Sequence, residues 1–155
     1  MCWENLTCQI FIHFIFAVQS KNALIEDEWE SELHQFIKRE MARNQNQVIA
    51  INGLSNHIHI MAQINPDCEF SALFVDLKEK SAQWINNHYS LQESFAWQEG
   101  YGAVTCSPES LDEITDYIND QKFVHLTKGF VEEYKEFLME NEIEFDERDI
   151  FTEPT

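Results

Sequence analysis

A chain of 155 residues, 44% apolar and 13% aromatic, has the makeup of one globular domain able to bury about 70% of its unfolded surface. With 4 glycines and 3 prolines it is neither a low-complexity nor a collagen-like chain. A net charge of −18 argues against a surface built for non-specific phosphate binding, although the acid gathers at the two ends: residues 1–33 carry −5, residues 129–155 carry −8, and the 95 between carry −5.

No apolar run approaches the roughly 18 residues of a membrane span. The longest covers residues 10–18, and the polar His13 interrupts it. Met1-Cys2-Trp3-Glu4 offers no basic region, so no signal peptide is expected. Cys2, Cys8, Cys68 and Cys106 match no zinc spacing and read as reduced thiols of a cytoplasmic chain.

Residues 8–18 are β-branched or aromatic almost throughout and predict a strand covered on both faces. Residues 26–44 predict a helix, with acids at its start and Lys38, Arg39 and Arg43 toward its end. Residues 47–52 and 57–64 predict two strands of an antiparallel hairpin joined by Gly53-Leu54-Ser55-Asn56. Residues 70–87 carry a second helical stripe, and residues 100–107 a short strand. Pro108 near its start opens a third helix that holds Tyr117 and runs until Gly129 breaks it. Residues 130–141 predict a last helix, and residues 143–151 an extended acidic tail. The order β-α-β-β-α-β is an α+β, ferredoxin-like sandwich, here with extra C-terminal helices, and residues 1–155 read as one domain.

Residues that carry chemistry are few. In a strand, His57 and His59 point to one face, about 7 Å apart by the ~3.3 Å rise, while Ile58 and Ile60 point into the core. Two imidazoles so placed can share a metal or simply form a solvated face. Tyr117 and Gln121 fall four residues apart on the third helix and project together.

These pieces resemble a known family. Gly53-Leu54-Ser55-Asn56-His57-Ile58-His59-Ile60 is similar to the His-hydrophobic-His motif of the HUH endonucleases. Residues 97–103, Trp-Gln-Glu-Gly-Tyr-Gly-Ala, then Ser107, and Asp116-Tyr117-Ile118-Asn119-Asp120-Gln121, resemble one branch: the single-tyrosine transposases of the insertion-sequence two-hundred type. The tail Glu144-Phe145-Asp146-Glu147-Arg148 is similar as well, and the likeness runs from Ile12 to Phe151.

The resemblance implies a DNA transposase that cuts and rejoins single-stranded hairpin ends of a mobile element through a 5′-phosphotyrosine. It implies Tyr117 as nucleophile, and His57, His59 and Gln121 as ligands of a divalent metal, Mg2+ or Mn2+. It further implies a homodimer whose active site is shared between subunits, working in the cytoplasm of a bacterium or archaeon with the nucleoid. The family usually shows two adjacent histidines and then a basic cluster after the glutamine; Val124, His125 and the poorer Leu126-Thr127-Lys128 stand there. Lys38, Arg39, Arg43, Lys78, Lys80, Lys122 and Lys128 are the candidates for DNA phosphates. The alternatives are a domesticated nickase of DNA repeats, or a ferredoxin-like nucleic-acid or ligand-binding module without chemistry.

Overall fold

The computed structural model describes residues 8–155; Met1–Glu4, including Cys2, lie outside them. The elements are β1 (Phe11–Ala17), α1 (Glu30–Arg43), β2 (Gln47–Leu54), β3 (His57–Gln63), α2 (Phe70–His88), β4 (Gly102–Cys106), α3 (Leu111–Asn119), α4 (Gln121–Val124) and α5 (Phe130–Glu140). The sheet order is β2-β3-β1-β4 with every neighbour antiparallel. This is the expected ferredoxin-like arrangement.

The central strand β1 is buried along its whole length, and period-2 alternation divides it between two cores. Ile12, Phe14 and Phe16 face α1 and α2, where Trp29, Leu33, Ile37, Leu73, Phe74 and Leu77 meet them. Ile15 and Ala17 face the opposite side, under Phe130, Tyr134, Phe137 and Leu138 of α5. The C-terminal helices therefore form a third layer on the sheet face that a two-layer sandwich leaves wet. Each Phe or Leu so buried contributes about 1.5–3 kcal/mol. The α1 helix begins with Glu30 and Glu32 and ends with Arg43, as its dipole favours.

Three local features set the site. A Cβ at Gly53 would lie 2.1 Å from the His57 carbonyl oxygen, so only glycine lets the hairpin close this tightly at the start of β3. The Ser107 hydroxyl accepts from the Ser110 amide and opens a short 3-10 turn that feeds α3. The predicted third helix is not continuous: Asp120 interrupts it, and Gln121 starts the separate short α4. The acidic tail is anchored to the core. Phe145, Ile150 and Phe151 pack on the α5 core, and the Gln98 amide donates to the Thr152 carbonyl at 2.7 Å. Its acids point outward while its aromatic residues anchor it.

Candidate active site

Beneath the third layer, β3 presents His57 and His59, β1 presents His13, α3 presents Tyr117, α4 presents Gln121, and α5 presents Glu133; His125 follows α4. His57, His59 and Gln121 are buried almost completely, not exposed on a wet strand face or helix surface. The reason is the layer of C-terminal helices above them: Phe130 of α5 stacks on the His57 ring with centroids 4.2 Å apart.

Glu133 is the centre of the cluster. Its Oε1 lies 3.1 Å from His59 Nε2, 3.1 Å from His125 Nε2 and 3.4 Å from His57 Nε2. Its Oε2 accepts from the Gln121 side-chain amide at 2.8 Å and from the Tyr117 hydroxyl. Gln121 Oε1 in turn meets His57 Nε2 at 2.9 Å and His125 Nε2 at 3.0 Å. Tyr117 stands edge-on to His59, centroids 5.9 Å apart. The tyrosine thus stands beside the histidine pair of its own chain.

The outer hydrogen bonds fix where protons sit. His57 Nδ1 faces the Asn56 side-chain oxygen at 2.7 Å, and His125 Nδ1 faces the Lys128 carbonyl at 2.7 Å. Oxygen acceptors require Nδ1–H in both rings, which leaves each Nε2 with a bare lone pair in the neutral form. Those lone pairs converge on Gln121 Oε1 and Glu133 Oε1, which are also acceptors. Acceptors facing acceptors repel unless a positive charge lies between them. Ligand atoms of His57, His125 and Glu133 all lie within 4.8 Å of one another, so this donor set fits a divalent cation. Mixed imidazole and oxygen donors suit several divalent ions.

Without a metal, a proton serves instead. Burial alone would lower the His125 pKa, but the Glu133 hydrogen bond and charge overcome it and raise it. Burial likewise disfavours the Glu133 carboxylate, yet its contacts with His125, His57 and His59 hold it well below the usual carboxylate range. Burial, then the hydrogen bond to Glu133, raises the Tyr117 phenol above its ordinary value. Burial pushes His57 down to about 4 and His13 down to about 3 from 6.5.

Those last two shifts predict acid lability. The unfolded chain takes up protons on His13 and His57 as pH falls through 6.5, whereas the folded chain resists until about 4 and about 3. Stability contributed by keeping them neutral is therefore lost as pH falls from 6.5 toward 4. At about 1.4 kcal/mol per pH unit this is about 2 kcal/mol for each ring by pH 5, offset in part by His125. Urea melts of chelator-treated protein at pH 7 and pH 5 measure it; equal stability at both would contradict the assignment.

Most of the cations are already engaged. Lys78 donates to the Gln98 and Gly100 carbonyls at 2.6 and 2.8 Å. Lys122 reaches Glu30 at 2.8 Å, Lys80 reaches Asp76 at 3.0 Å, and Arg43 reaches Glu40 at 3.0 Å. Lys128 pairs with Glu136. Among the described residues, Lys38 and Arg39 are exposed and hold no ion pair.

Sequence reasoning missed Glu133 and left His13 unexplained. A signal for Glu133 existed: it falls on the buried stripe of Phe130, Tyr134, Phe137 and Leu138, where an unpaired acid does not belong.

The ferredoxin-like sheet thus carries its histidine pair beneath the tyrosine-bearing α3. Residues 7–121 match the model of the family described as "Transposase IS200 like", and the chain belongs to that family. It is therefore a transposase, an enzyme that cuts and joins DNA. No curated protein sequence matches the chain. Among the solved structures that share the fold are the following two. One is a protein of Deinococcus radiodurans R1 described as a transposase, 18% identical over 78% of this chain and 97% of that one, with a TM-score of 0.58. The other is a REP-associated tyrosine transposase bound to a REP hairpin, 13% identical over 81% of this chain and 74% of that one, with a TM-score of 0.60. His125 and Glu133 both lie beyond the matched segment.

Proposed function

We propose that the chain cuts and rejoins single-stranded DNA at hairpin ends of a mobile element, with Tyr117 as nucleophile and a 5′-phosphotyrosine as intermediate. The observation that supports this is the meeting, in one chain, of the Tyr117 hydroxyl with a donor set that fits a divalent cation. Gln121 and Glu133 hold that cluster together: Glu133 Oε2 receives both the phenol and the Gln121 amide. The hydrogen bond to Glu133 holds the Tyr117 oxygen against the cluster. His57, His59 and Gln121 hold a divalent metal, Mg2+ or Mn2+, joined by His125 and Glu133. When bound, such an ion offsets the charge of the scissile phosphate. A phosphotyrosine conserves the bond energy of the cut strand for rejoining.

The hairpin-bound neighbour supports a DNA hairpin as substrate. Of the candidate phosphate contacts, Lys38, Arg39 and Lys78 need no ion pair broken. We read residues 1–155 as one unit that works on cellular DNA in the cytoplasm, alongside the nucleoid. The described residues contain no helix long and apolar enough to cross a membrane.

The test is metal dependence. Chelator-treated protein should not cut a hairpin substrate, and Mn2+ or Mg2+ should restore cutting. His57→Ala should remain folded and inactive at every metal concentration. Cutting at the full rate in chelator would sink the metal role.

We also propose a homodimer. Strands β2 and β4 leave two open sheet edges, and Phe123 and Leu126, each 75% exposed, form apolar surface beside Gln121. Light scattering at micromolar protein should give twice the 18.3 kDa chain mass. A single-chain mass across that range would overturn it.

A further inference from the structure

His13 is the one polar side chain in β1, a strand otherwise built of buried apolar residues. It does not touch Tyr117, Gln121 or Glu133 through any hydrogen bond, so the proposed chemistry leaves it without a part. Among the described residues, the one polar side chain it meets is His59. On β1, Ile15 pairs with His59 and His13 pairs with Met61, so the two histidines are diagonal neighbours on one sheet face. His13 Nε2 lies 2.8 Å from His59 Nδ1. The rings are 5.1 Å apart, and Phe137 packs edge-on against His13 at 5.2 Å.

Two nitrogens at that distance share one proton, and there are two ways to arrange it. If His13 donates, His59 Nδ1 is bare and His59 carries Nε2–H, which then points at Glu133 Oε1 and into the cation site. If His59 donates, its Nε2 lone pair points there instead. The other two imidazoles settle the pattern. His57 and His125 each send Nδ1–H outward to an oxygen and turn a bare Nε2 inward. His59 matches them only if His13 is the acceptor.

We propose that His13 is a positioning residue for the metal site: its Nε2 accepts from His59 Nδ1–H and so turns the His59 Nε2 lone pair toward the cation. His13 does for His59 what the Asn56 side chain and the Lys128 carbonyl do for His57 and His125. A ring nitrogen is the only one of the three outer partners that must choose its own tautomer, with Nδ1–H on His13 when the metal is bound. Outer partners of this kind orient metal-binding imidazoles, and their loss typically costs 10–100-fold in metal affinity. The inference rests on the metal reading above.

Two measurements on the full chain test it. Calorimetric Mn2+ titration compares wild type with His13→Leu, which fills the space without an acceptor, and His13→Gln, whose amide oxygen can still accept. His13→Leu should bind Mn2+ about 10–100-fold more weakly, with thermal melts confirming the fold, and His13→Gln should recover most of the loss. Long-range 1H–15N correlation spectra of Mg2+-saturated wild type should show His59 as the Nδ1–H form. If wild type binds Mn2+ and His13→Leu binds it equally well, or if His59 in the Mg2+-saturated protein carries Nε2–H, His13 loses this role while the metal site stands. If wild type takes up no Mn2+, the metal site itself falls and the inference with it.

Discussion

Tyr117→Phe should abolish the covalent protein–DNA adduct and leave hairpin binding intact. Only one oxygen is removed, and it is the oxygen the chemistry uses. In the structure that hydroxyl donates to Glu133 and faces an open cleft bordered by His13, His59 and Lys128. The ring keeps its place, because α3 is held by Ile118 against Phe11, Ala50 and Met61, with Leu111 and Ile114 packed beside them. Loss of activity in this variant therefore reports on the nucleophile and not on the fold. Polarity is tested in the same assay. If the 3′ oxygen leaves, Tyr117 holds the 5′ phosphate, and the shifted band carries a label placed downstream of the cut. An adduct labelled upstream would reverse the polarity, and an adduct surviving in Tyr117→Phe would remove Tyr117 from the role.

The fold was legible because β1, the hairpin and the two large helices each declare their period. The apolar run of residues 8–18 predicted a strand buried on both faces, and Phe11–Ala17 is buried on both. The histidine pair was legible as a pair but not in its surroundings. Alternation correctly set His57 and His59 on one face and Ile58 and Ile60 on the other. It could not say that α3, α4 and α5 cover the histidine face, since that depends on where the chain goes 60 residues later. Spacing set Tyr117 and Gln121 on one face of a single helix, but the helix is interrupted at Asp120. What unites them is Glu133, and its contacts are all long-range in the chain except those to α3, α4 and His125. The candidate phosphate contacts suffered most, because a count of lysines does not reveal that Lys78, Lys80, Lys122 and Lys128 already have partners.

Glu133→Gln should disable the site as thoroughly as loss of the nucleophile, and by a distinguishable route. The substitution preserves shape and keeps an oxygen for Tyr117, but removes the charge around which three imidazoles are gathered. Mn2+ affinity should fall at least about 100-fold, equivalent to about 2.7 kcal/mol, and hairpin cutting should fall with it. A second effect can be read without metal or DNA. The His125 pKa stands above its ordinary value only because the Glu133 hydrogen bond and charge overcome burial. Once the carboxylate is gone, burial is unopposed by its main partner, so the His125 pKa should drop below 6.5. Proton NMR titration of the His125 ring in chelator-treated wild type and Glu133→Gln compares the two directly. His57, already held low by burial, should move lower still, since Glu133 is what raises it. A His125 that titrates identically in both proteins, together with unchanged Mn2+ affinity, would show that Glu133 is a buried bystander and that the cluster is held by Gln121 alone.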